Sequence, residues 1–146
     1  IFKFIMKDFK IFLEDGSIKR ITPNKLLIKS LVDDAVKRLN FYKKLKLNSE
    51  TSKYILENVY ESLRELADAV LIKDGYKSYS HEASIVYLLK YNLSLIEINK
   101  FDNFRKIRNN SKYYGKSVDL EDSKEIVELA EKLLKEIKNI LKDANS

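Results

Sequence analysis

Residues 101–115, FDNFRKIRNNSKYYG, place an arginine inside the apolar face of a helix-forming run and end it in a polar, tyrosine-rich exit. At about 100° per residue, Phe104, Ile107, Ser111 and Tyr114 form one seam, with Phe101 and Arg108 on its flank. Arg108 therefore leans inward. A guanidinium rarely faces a core unless a carboxylate, a carbonyl or a phosphate neutralises it. Arg108 is then either half of a structural ion pair with an acid such as Glu57, Glu61, Glu65 or Asp68, or the floor of an anion-binding cleft. Arg105, Arg108 and Lys112 fall within about 60° of one another around the helix, a spacing that suits a polyanion. Arginine grips phosphate through two parallel hydrogen bonds, Asn109 can add a neutral donor, and Tyr113 or Tyr114 can stack on a base.

The single histidine, His81, follows a capping serine in SYSHEAS. A first-turn imidazole feels the positive end of its helix, which disfavours the charged form and suits a general base. A first-turn packing histidine, with Glu82 as a helix-start carboxylate, is the other reading. The sequence holds no glycine-rich phosphate loop, HExxH, GxSxG or calcium-binding loop. With no cysteine and one histidine, disulfides, thiolate zinc and a cysteine nucleophile are excluded, and neither metal nor cofactor is expected. Tyr54, Tyr60, Tyr76, Tyr79, Tyr87 and Tyr91 fall on several elements, as core-edge tyrosines do.

Three glycines and one proline cannot supply the turns of an all-β fold, so long helices are expected. Residues 1–22 read as an N-terminal arm, extended or hairpin, because Phe9, Ile11 and Leu13 alternate up to Asp15-Gly16 and Ile18 follows. Thr22-Pro23 signals a helix start, with a stripe of Leu27, Leu31, Ala35, Leu39, Tyr42 and Leu45 to about residue 46. A second helix follows Asn48 to about residue 73, antiparallel to the first, and Gly75 ends it. Residues 76–79 read as a loop, Ser80 as the cap of a third helix, and residues 92–98 as a turn before the Arg108 helix, which Gly115 terminates. A final helix, capped by Asp119 or Asp122, carries Ile126, Ala130, Leu133, Ile137 and Ile140. Residues 23–146 thus predict one all-α domain, an up-and-down bundle of about five helices.

Charge is uneven. Residues 1–47 hold twelve basic and five acidic groups, and residues 100–118 hold six and one, while the segments between and after them are acidic. Two basic segments meeting on one face would attract phosphate, whereas a lysine-rich solvated surface accounts equally well for the first. No apolar run approaches the roughly 20 residues of a membrane span, and a soluble cytoplasmic protein is expected. The chain starts at Ile1, with Met6 shortly after, and the first five residues are given no functional weight.

The run RKIRNNSKYYGK, preceded by GYKSYSHEA and followed by an acid-capped terminal helix, resembles the HEPN superfamily of small bacterial and archaeal helical proteins over about residues 24–146. In HEPN ribonucleases an arginine, usually followed by a polar residue, precedes a histidine with four to six residues between them, and two subunits join their pairs to cleave RNA without metal. Arg108 and Asn109 match that pattern, but the histidine window holds Tyr113, Tyr114 and Gly115. A tyrosine of pKa about 10 is poorly suited to proton transfer near neutral pH. The resemblance therefore implies a dimeric, non-catalytic domain that binds nucleotide or RNA phosphate through Arg105, Arg108, Asn109, Lys112, Tyr113 and Tyr114. A metal-independent endoribonuclease of a toxin–antitoxin system, using Arg108 with Tyr113 or His81, is one alternative it implies. An interaction partner of a small nucleotidyltransferase is the other.

Overall fold

A helix with apolar residues around most of its circumference must sit at the centre of a helical protein, and residues 52–73 are of that kind. In the computed structural model, which describes residues 8–143, this segment is α3 (Ser52–Lys73). Leu56, Val59, Leu63, Ala67, Val70 and Leu71 are fully enclosed. Around it pack α2 (Lys25–Lys43), α4 (His81–Tyr87), α5 (Leu95–Tyr114) and α6 (Leu120–Asp143), giving an all-α bundle. The α2–α3 turn is held by Asn48, whose Oδ1 accepts from the backbone of Glu50 (2.9 Å) and Thr51 (3.0 Å). On α6 the predicted seam is buried at Ile126, Ala130, Leu133 and Ile137 and half-buried at Ile140, and Leu129 joins it. Among the described residues no helix is long and apolar enough to cross a membrane.

The described part of residues 1–22 departs from the expected arm, and residues 1–7 lie outside the description. Instead of a hairpin about Asp15-Gly16, a short helix α1 (Phe9–Glu14) forms, capped by Asp8 Oδ1 accepting from the Lys10 amide at 3.1 Å, with Phe12 buried. The strand β1 (Ile18–Arg20) then pairs antiparallel with β2 (Tyr76–Ser78), Lys19 opposite Lys77. Residues 76–79, expected as a loop, supply that partner. Three-residue strands are too short to show alternation, and this pairing is non-local. Phe12 and Ile18 join the core cluster of the bundle. Gly75 sits at φ +86°, and a Cβ there would meet the Ile21 carbonyl at 3.1 Å, so the β1–β2 approach requires glycine.

Two boundaries also move. The first bundle helix is capped by Asn24 rather than Thr22, its Oδ1 accepting from the Leu27 amide at 3.1 Å. α5 begins at Leu95 under a Ser94 cap, inside the stretch expected as a turn, and Gly115 ends it in a left-handed conformation as predicted.

Candidate anion-binding cleft

α5 turns one face to the core through Ile98, Phe101, Phe104, Arg108 and Ser111. Arg108 thus lies in the middle of the buried seam rather than on its flank, while Tyr114 is 74% exposed and leaves it. The Arg108 side chain is extended toward α3 and α4, where Arg38, Glu57, Asn58, Glu61, Arg64, His81 and Lys112 join it around a cleft of about 470 Å³.

Arg108 is 7% exposed, yet among the described residues no carboxylate lies within ion-pair distance of it. Its guanidinium sits 5.5 Å from the centre of the Tyr60 ring and 5.7 Å from that of Tyr113, and its Nη1 donates to Asn109 Oδ1 at 3.2 Å. Three of the four acids that could have paired with it are otherwise engaged, and Glu57 lines the cleft without reaching ion-pair distance. Glu61 and Asp68 hold Arg64, and Glu65 approaches Arg38 Nε at 3.5 Å. A nearly enclosed cation supported by aromatic faces and one neutral acceptor keeps unused donors for an anion.

The remaining predicted residues separate into two groups. Lys112 lines the cleft, its Nζ 5.8 Å from the Tyr113 ring centre, and Tyr113, 64% exposed, covers Arg108 from the solvent side. Arg105 is elsewhere. Its Nε donates to Asp102 Oδ1 at 2.8 Å and its Nη2 to Glu82 Oε2 at 3.3 Å, so it ties α5 to α4 and does not line the cleft. Tyr114 stands apart from the cleft lining.

His81 does reach the cleft. Ser80 caps α4 by accepting from the Ala83 amide at 3.2 Å, and this sets the His81 ring against Tyr60, centres 5.8 Å apart, with Nδ1 3.1 Å from the Tyr60 hydroxyl. Burial, with repulsion from Arg64 and Arg108, pushes the His81 pKa down to about 4. The imidazole is neutral at pH 7. Because the folded value lies below the ordinary 6.5, the unfolded chain binds the extra proton between them, and stability falls as pH drops from about 6.5 to about 4. As His81 is the only histidine, its proton NMR titration should show one imidazole midpoint near 4. A midpoint near 6.5 would mean the ring is solvated and uncoupled from the cleft.

A second titration sits beside the cleft. Glu65, 7% exposed, faces Asp34 and Arg38, and burial together with the hydrogen bond and charge of Asp34 raises its pKa to about 8. The folded state therefore holds a proton that the unfolded chain has lost, and stability declines as pH rises from about 4.5 to about 8. Glu65→Gln is expected to stabilise the protein by about 1–3 kcal/mol at pH 9 and little at pH 5, read by urea unfolding.

Arg38, Arg64, Asn58 and Tyr60 were not singled out from sequence. The available signal was the polar series Asn58, Glu61, Arg64 and Asp68 at helical spacing on α3, which marks a side facing something polar. Comparison of the chain with protein-family models and with curated proteins finds no match to either.

Proposed function

We propose that this protein is a HEPN-like helical domain that binds nucleotide or RNA phosphate in the Arg108 cleft and, paired with a second copy, works as a binding module. One observation carries this reading: an almost fully enclosed guanidinium with no acid partner among the described residues, facing a cleft. Phosphate would take two donors from Arg108 and the charge of Lys112, with Asn58 nearby and a base stacked on Tyr113. The four cations of the cleft outnumber Glu57 and Glu61, and His81 adds no charge at neutral pH. The test is titration of a short RNA and of ATP against wild type and Arg108→Ala at two salt concentrations. Equal affinities would overturn the proposal.

The nearness of His81 to Arg108 favours one second reading, metal-independent RNA cleavage. It requires the tautomer in which Nδ1–H donates to Tyr60 Oη, leaving the Nε2 lone pair as base. A ring whose Nδ1 accepts from Tyr60 carries its proton on Nε2 and serves as a neutral donor instead. Incubation with structured RNA in EDTA decides between them. Cleavage lost in both Arg108→Ala and His81→Ala supports the nuclease, and absence of cleavage supports the binding module.

A further inference from the structure

A second concavity, sharing no lining residue with the Arg108 cleft, runs between the start of α2 and the last two turns of α6, beside the end of α3. Its floor is apolar, built from Ile28, Val32 and Leu141, and Lys25, Lys138 and Lys142 stand around it. Among the described residues no acid lies within ion-pair distance of these three lysines. Two further rim lysines are already engaged, Lys29 by Asp33 at 3.2 Å and Lys73 by Asp74 at 2.9 Å. Ammonium groups gathered about one apolar floor repel one another, and a bound anion relieves that repulsion.

We propose that this groove binds a single-chain anionic amphiphile, a long-chain carboxylate whose acyl chain covers the apolar floor and whose headgroup meets the free lysines. The volume, about 660 Å³, falls in the range of small-molecule sites. Neither an aromatic ring nor an arginine lines it, so it lacks the stacking and bidentate groups that a nucleotide would use. The chain's own first seven residues, IFKFIMK, carry two lysines and no acid, the wrong sign for this rim.

The probe is cis-parinaric acid, whose fluorescence rises in apolar sites, with its neutral methyl ester as the second arm. Saturable binding of the acid, about tenfold tighter than the ester, is expected for wild type. Val32→Asp should abolish both. Reversing the three exposed lysines together (Lys25→Glu, Lys138→Glu, Lys142→Glu) should weaken the acid by about tenfold and leave the ester unchanged, with circular dichroism confirming the fold. Equal binding of acid and ester, acid binding unchanged by the charge reversal, or saturation only by a synthetic acidic amphipathic helix would each overturn the proposal. Arg108→Ala should bind the acid as wild type does, which separates this result from that at the phosphate cleft.

Discussion

Arg105→Ala and Arg108→Ala, three residues apart on α5, are expected to fail in opposite ways. Arg105 neutralises Asp102 and Glu82 from a mostly buried position, so its removal leaves the nearly enclosed Asp102 with only the exposed Lys106 at 3.7 Å and takes from Glu82 its ion-pair partner. That should lower stability by about 1–3 kcal/mol, several degrees in Tm, while RNA and ATP affinity stay within about twofold. Arg108 has no carboxylate to strand, and its loss removes chiefly its stacking on Tyr60 and Tyr113, about 0.5–2 kcal/mol. Phosphate affinity should fall by about tenfold or more, because charge-assisted hydrogen bonds are worth about 1.5–3 kcal/mol, and the salt dependence should become shallower. Thermal melts and binding titrations on the two variants read both effects. If Arg105→Ala weakened binding as much as Arg108→Ala, the anion would be held by general positive charge on α5 and not by the cleft.

That division was only half legible in the sequence. Helical period places Arg105, Arg108 and Lys112 along one edge of α5, but it carries no information on what the neighbouring helices present to each. Glu82 lies on another helix, far from Arg105 along the chain, and only packing of α4 against α5 brings them together. The central helices and their caps at Ser80 and Gly115 were readable because period and cap chemistry are local. The β1–β2 pairing was not, since its two three-residue strands join distant segments. Asp15-Gly16 misled for a related reason. It does form a turn, with Gly16 at φ +82° and Asp15 Oδ1 accepting from the Ser17 amide at 2.8 Å, yet it joins a helix to a strand instead of two strands. His81 was legible as a first-turn residue, while its place beside Arg108 depends on Tyr60, a residue indistinguishable in sequence from the other core-edge tyrosines.

Tyr60 is therefore where fold and site are joined, and its substitutions should show the largest loss of stability around the cleft. The side chain is fully enclosed on α3, with its ring edge-on to Phe101 at 5.8 Å, under the Arg108 guanidinium, and against the His81 ring. Burial holds its hydroxyl pKa well above the ordinary value, so it stays a neutral partner for His81 Nδ1 at any working pH. Tyr60→Ala removes the ring from the meeting point of three helices and should cost about 3–5 kcal/mol, with Arg108 left to fold into the void and phosphate binding lost alongside. Tyr60→Phe separates the two roles. The ring still supports Arg108, so phosphate affinity should remain within about threefold, whereas the half-buried imidazole loses its hydrogen-bond partner at a cost of about 1 kcal/mol. Urea unfolding and ATP titration on the two variants make the comparison. A Tyr60→Phe protein that kept full stability but lost phosphate binding would show that the hydroxyl, and through it His81, contacts the ligand directly, and would move the centre of the site from Arg108 to the α3–α4 side of the cleft.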